Sequence, residues 1–217
     1  MNRVMVIAAH PDDEWIGCGG TILKHIDNGD IVKVIFMSDG YSSRTSTLSK
    51  SRNNASFELM KKIGAESPTF FEFPDNKLDT VPLLDIVQKI ELCKEDFNPN
   101  IVYTHCDNDL NIDHKITCRA VHTAFRPQPG ENLESMNHFE VVSSSEWGYE
   151  ATFTPNFFND ISKYLDKKID LLSFYDDEMR ASPHARSYEN IKSLAKLRGN
   201  TVGFAAAESF QISRFIT

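Results

Sequence analysis

Residues 10–14 read HPDDE, an imidazole and three carboxylates directly after the apolar run VMVIAA. His10 and Asp13 stand three residues apart, a spacing that lets a nitrogen and an oxygen converge on one cation in a turn leading to a helix, and zinc suits such ligands. The same residues also describe a surface turn whose acids cap a helix N-terminus. A second cluster bears on that choice. NIDH at 111–114 brings His114 to the start of a later helix. With His10 and Asp13 it makes three protein ligands, the number that leaves a position open for water in a catalytic zinc site. Asp12 would then stand beside that water without being a ligand.

These clusters need elements to hold them at one place. Val4 to Ala9 and Ile31 to Met37 are continuous apolar runs rich in β-branched residues, the pattern of strands buried on both faces of a parallel sheet. Between them, Gly19 to Gly29 carries Ile22, Leu23 and Ile26 at helical spacing and stops at Asn28-Gly29. The alternation predicts a helix from about Arg52 to Ile63 ended by Gly64, a strand at Thr69 to Phe73, a helix at about Pro82 to Phe97, and a strand at Ile101 to His105. A helix over about Asp113 to Phe125 follows, then a strand over Phe139 to Trp147. Two further helices are expected at about Asn159 to Tyr175 and Ser187 to Arg198, with the loop MRASPHARS between them. Ser38 to Ser51 and Phe125 to Asn137 read as long loops. HPDDE, SDGYSSR and THCDNDLNIDH all fall beyond carboxyl ends of strands, where open α/β sheets bind ligands.

The expected architecture is a single α/β domain over residues 1–217, Rossmann-like, with a mostly parallel sheet flanked by helices. The C-terminal helices, about 157–217, complete its pocket. A net charge of -8 argues against a nucleic-acid partner held by a general phosphate field. Cys18, Cys93, Cys106 and Cys118 form no close-spaced set, which points to a reducing cytoplasm rather than a disulfide framework. The apolar run near the N-terminus is too short for a signal segment or a membrane span. The oligomeric state is left open, a homo-oligomer included.

AHPDDE and NIDH, in this order and on these strands, resemble the motifs of the PIG-L/LmbE-like family of zinc-dependent N-acetylglucosamine deacetylases, and the likeness covers most of the chain. The resemblance implies that His10, Asp13 and His114 bind Zn2+ and that Asp12 is the general base of a metal-assisted amide hydrolysis, its proton passing later to the leaving amine. Asp113 matches the acidic residue before the last ligand and is expected to orient or charge a neighbouring polar group. Many family members have a histidine three residues before that ligand to stabilise the oxyanion. Here the position is Asn111, whose NH2 donates a hydrogen bond but carries no charge. His105 and His184 are therefore the candidates for an acid or oxyanion helper.

Arg52 sits where the family has an arginine facing the sugar, and Ala55 replaces a glutamate often found three residues later. SPHARS, with His184 and Arg186, resembles an element of related polysaccharide-cluster proteins that is followed by a stretch like AAESF. An arginine there could pair with a phosphate or carboxylate of the substrate. The bland alternatives are a solvated arginine and a solvated loop. Trp147 offers a face to a sugar ring, or is simply core.

The expected activity is removal of an acetyl group from a small N-acetylated amino sugar or its conjugate. One rival is deacylation of another amide, such as a formyl group on a sugar nucleotide, lipid-linked sugar or thiol glycoside. Another is a sugar- or nucleotide-binding protein whose acids merely cap a helix. A nucleotide-dependent oxidoreductase is disfavoured because acids stand where a pyrophosphate would meet the helix N-terminus.

Overall fold

The two N-terminal apolar runs form adjacent parallel strands, β1 (Arg3–Ala8) and β2 (Ile31–Ser38), in register from Arg3 opposite Ile31 to Ala8 opposite Phe36. The structure, a computed structural model, describes residues 1–38 and 46–217, and side chains except those of 46–51. Most of the expected SDGYSSR cluster thus lies outside the described residues. Alternate residues of β1 enter opposite cores, Val4, Val6 and Ala8 on one face and Met5 and Ile7 on the other. Helices α1 (Asp13–Asp27) and α2 (Ser46–Ile63) cover the first face, and α3 (Leu83–Phe97) and α4 (Ile112–Ala124) the second.

Strands β3 (Thr69–Phe73), β4 (Ile101–His105), β5 (Ser135–Phe139), β6 (Phe157–Asp160) and β7 (Ala207–Phe215) complete a seven-stranded sheet of order β3-β2-β1-β4-β5-β7-β6. The first five are parallel, and β7 runs antiparallel to both β5 and β6. Strand order reverses between β1 and β4, so the crevice beyond their carboxyl ends is the expected ligand position. His10 follows β1 there, and His114 lies in the first turn of the helix after β4.

Several elements differ from expectation. No strand spans Phe139 to Trp147. The strand ends at Phe139 and a 3-10 turn follows at Ser145–Trp147. Val141 and Val142 are buried by packing instead, and the Ser145 hydroxyl takes the Val141 N–H that a ladder would have used. Strand β5 lies largely within the expected 125–137 loop, because polar groups of its side chains find partners inside: Asn137 Nδ2 donates to the Val102 carbonyl and His138 Nδ1 bonds the His105 carbonyl. The helix expected over Asn159 to Tyr175 is only α5 (Leu165–Leu171) with a 3-10 turn after it, since Asn159 and Asp160 pair with β7. Helix α2 begins at Ser46, which puts Arg52 inside it rather than at its start. Helix α6 (Tyr188–Val202) is close to expectation, capped by the Ser187 hydroxyl on Asn190 N–H.

Helix α1 starts at Asp13, earlier than its apolar periodicity suggested, and kinks at Cys18 (φ -144°). The kink frees backbone groups that the C-terminal segment takes up. Glu208 of β7 accepts the Gly20 and Thr21 N–H groups at 2.8 and 2.7 Å. Lys168 of α5 donates to the Ile16 carbonyl and to Glu208. A Cβ at Gly20 would come within 2.9 Å of the Ile161 side chain, so the close approach requires glycine. Among the described residues no helix is long and apolar enough to cross a membrane.

Candidate active site

His10, Asp13 and His114 offer ligand atoms that all lie within 4.8 Å of one another, and all three residues are buried. Asp13 Oδ2 is 3.2 Å from His10 Nδ1 and 3.2 Å from His114 Nε2. The other ring nitrogens face carboxylates. His10 Nε2 is 3.1 Å from Asp113 and 3.0 Å from Asp75, and His114 Nδ1 is 3.1 Å from Asp109. Asp13 Oδ1 and His114 Nε2 are buried without a hydrogen-bond partner. Buried polar atoms left in that state cost free energy unless something else binds them. Two imidazole nitrogens and a carboxylate around one point are a donor set that fits zinc, and the orphaned atoms belong to two of those three residues.

The outer carboxylates are themselves held. Asp113 accepts the Asn76 and Leu78 N–H groups at 2.7 and 3.0 Å. Asp109 accepts the Asn111 N–H at 2.8 Å and hydroxyls of Ser144 and Ser145. Imidazoles oriented in this way have their tautomer and ring direction fixed. Sequence reasoning had found Asp113 but gave Asp75 and Asp109 no role. Asp109 had a signal in the run DLNIDH, whereas Asp75 joins the site only because β3 ends beside β2.

The electrostatics favour positive charge at this point. Burial alone lowers an imidazole pKa, yet Asp13 and Asp109 raise that of His114 to about 9 and the surrounding carboxylates raise that of His10. Against the penalty of burial, the nearby His114 charge and the hydrogen bond from His10 hold Asp13 well below the usual carboxylate range. Asp109 is held at about 2 despite burial, by His114 and the two serines.

Asp12 is built differently. It has φ +119°, a left-handed conformation that a non-glycine residue adopts only under constraint. Its N–H donates to Glu14 Oε2 at 2.9 Å, its carbonyl accepts from Trp15 and Ile16, and Glu14 Oε1 accepts the Tyr175 hydroxyl at 2.6 Å. Glu14 thus braces the backbone of Asp12. Burial raises Asp12 to about 6 even though Arg186 opposes the shift, and burial raises Glu14 to about 8.

A polar cavity of about 300 Å3 opens over this group, with His10, Asp12, Arg52, Asn111, His184 and Arg186 in its wall. Trp147, half-exposed, closes one side, and Asp75, Ser143, Glu178 and Arg180 also contribute. Every expected substrate contact therefore reaches the cavity. Arg186 does so in a way the sequence did not suggest, because its guanidinium bonds the chain's own Asp12 at 2.5 Å and Ser143 at 2.8 Å. Arg52 is buried, not solvated, near Asp75 and Glu178. Asn111 caps α4, its Oδ1 accepting the Asp113 N–H, while its side chain also lines the cavity.

His105 does not line the cavity. It lies fully buried behind the ligands, its ring stacked on His114 at 3.9 Å and its Nε2 accepting the Ala9 N–H. Burial, and next the His114 charge, push its pKa well below the usual imidazole range.

The fold and the site define an α/β enzyme with a histidine–carboxylate centre at the switch point of its sheet. The chain belongs to the PIG-L family of deacetylases: the family model, described as GlcNAc-PI de-N-acetylase, matches residues 5–125. A curated relative from Bacillus cereus, a probable N-acetyl-alpha-D-glucosaminyl L-malate deacetylase, is 24% identical over 82% of this chain and 84% of its own length. Among solved structures, the N,N'-diacetylchitobiose deacetylase of Pyrococcus horikoshii superposes with a TM-score of 0.79 at 20% identity, covering 96% of this chain and 82% of that one. A 4-carboxy-2-hydroxymuconate hydratase from Pseudomonas putida superposes with a TM-score of 0.77 at 22% identity, covering 98% and 96%. One fold thus carries both hydrolysis and hydration, and the side chains of the site must decide between them.

Proposed function

We propose that the protein is a zinc-dependent hydrolase that removes the N-acetyl group from an N-acetylated amino sugar or its conjugate. The observation that carries this reading is the meeting of His10, Asp13 and His114 around buried atoms without partners, with the braced carboxylate of Asp12 beside them at the floor of a polar cavity. His10, Asp13 and His114 would hold the metal. Bound there, zinc supplies Lewis-acid polarisation of the amide carbonyl and lowers the pKa of water.

The chain's own residues do the rest. Asp12, fixed by its backbone and by Arg186, takes a proton from the attacking water and returns it to the leaving nitrogen. The Arg186 guanidinium favours the ionised form of Asp12, which a base requires. Asn111 Nδ2 is free of the capping bond made by Oδ1 and donates to the oxygen that gains charge. Asp109, Asp113 and Asp75 orient the two imidazoles. Arg52, His184 and Trp147 contact the sugar, and the segment from about 157 to 217 completes the pocket by supplying His184 and Arg186. Four free cysteines among the described residues support a reducing, cytoplasmic setting.

The test is hydrolysis by the zinc-loaded protein of N-acetyl, N-formyl and longer N-acyl forms of one glucosaminide, read as released amine. Fastest turnover of the acetyl form is expected. A faster formyl substrate would replace the acetyl assignment, and no turnover of any amide would remove the hydrolase reading.

A further inference from the structure

The polar cavity of about 300 Å3 opens to solvent, with Trp147 and His184 in its wall. A group joined to a sugar bound there can extend past that wall. Across Trp147 and His184, which both spaces share as a wall, lies a larger groove of about 730 Å3.

This groove is unlike the site. Val142, Trp147, Pro183, Ala185, Leu194 and Leu197 give it an apolar lining. Leu197 is 60% exposed and Trp147 52% exposed, so two large apolar side chains face solvent in one concavity. Its charged groups are committed elsewhere. Arg198 and Glu140 pair through two bonds of 2.8 and 2.7 Å, and Glu146 accepts the Ser143 and Ser144 N–H groups. Among the described residues lining the site, the arginines are committed as well: Arg186 is on Asp12, Arg180 donates to the Asp177 and Met179 carbonyls, and Arg52 lies beside Asp75 and Glu178.

We propose that this groove binds the aglycone of the substrate, and that the aglycone is an uncharged apolar group rather than a nucleotide, a phosphate or an acid. The proposal rests on the deacetylase reading and deepens it. The sugar sits with its acetamido group at Asp12 and Asn111, and the apolar group joined to it passes over Trp147 onto the face of α6 that carries Leu194 and Leu197. Apolar contact with that face supplies affinity without contributing to the chemical step.

The test uses the zinc-loaded full chain with methyl and hexyl glucosaminides, both anomers, and measures their dissociation constants by calorimetry. Hydrolysis of the corresponding N-acetyl forms is followed in parallel. The hexyl compound is expected to bind at least about tenfold tighter, since it adds five methylenes that a solvent-open groove buries in part. Leu197→Asp, at an exposed position, should cut that ratio below about threefold. A wild-type ratio near one overturns the proposal, as does a large ratio that Leu197→Asp leaves intact, or failure of both compounds to bind. If Leu197→Asp instead turns a dimer into a monomer by sedimentation and leaves the ratio unchanged, the groove is a self-interface and the proposal fails. Retained binding ratios with no hydrolysis would overturn the deacetylase reading and leave the groove standing as a glycoside site.

Discussion

The turn after β1 and the segment before α6 meet at one carboxylate, and they are built in opposite ways. Residues 9–16 are almost wholly buried; distant residues such as Tyr175 and Lys168 brace them, but the turn itself is shaped by short-range bonds, His10 N–H to Asp13 Oδ2 and Trp15 and Ile16 N–H to the Asp12 carbonyl. Residues 180–186 lie mostly at the surface, and only Arg186 reaches down to Asp12. Groups that must face a metal within tenths of an ångström are fixed by local backbone. Groups that adjust charge and select substrate arrive from far along the chain, on a segment that can vary without disturbing the ligands.

The strongest way to break this contrast is at its meeting point. Asp12→Asn keeps the shape and the bond to Arg186 in part but removes the base, so turnover should fall by about 10^2–10^4-fold with zinc content unchanged. Amine release and metal analysis on one preparation check this. Near-normal turnover would move the base to another residue.

Next in size is the anchoring of α1 by distant residues. Lys168→Met strands Glu208 and the Ile16 carbonyl in the interior. Breaking a buried pair typically costs about 3–5 kcal/mol, and the two N–H groups that remain on Glu208 place the expected loss near ~3 kcal/mol in urea unfolding. A loss below ~1 kcal/mol would mean that the turn holds itself without the C-terminal segment.

The smallest effect sharpens the local half. Asp109→Ala should weaken zinc binding by about 10–100-fold in a chelator competition, because His114 loses the carboxylate that sets its tautomer. Unchanged affinity would show that stacking on His105 suffices to hold the ring.

The same contrast explains what was legible in the sequence. VMVIAA and IVKVIFM must be buried on both faces, so β1, β2 and the parallel half of the sheet follow from their composition. HPDDE and NIDH follow because their spacing is local. SMNHF hid a buried strand, since Asn137 and His138 find partners on β4 and β7, which no periodicity reveals. Val141 and Val142 looked like strand and are not, because burial does not require a ladder. Arg52, His184 and Arg186 were placed in the pocket by resemblance. The bond from Arg186 to Asp12, the bracing of Asp12 through Glu14 by Tyr175, and the role of Asp75 needed the fold, because each joins segments separated by other elements.

The central claim is that His10, Asp13 and His114 form one metal centre, and zinc stoichiometry tests it most directly. After dialysis against low zinc, the wild-type chain should retain about one zinc ion and His114→Ala close to none, with both proteins folded by circular dichroism. Full zinc occupancy in folded His114→Ala, or no zinc in the wild type at any added concentration, would contradict the account.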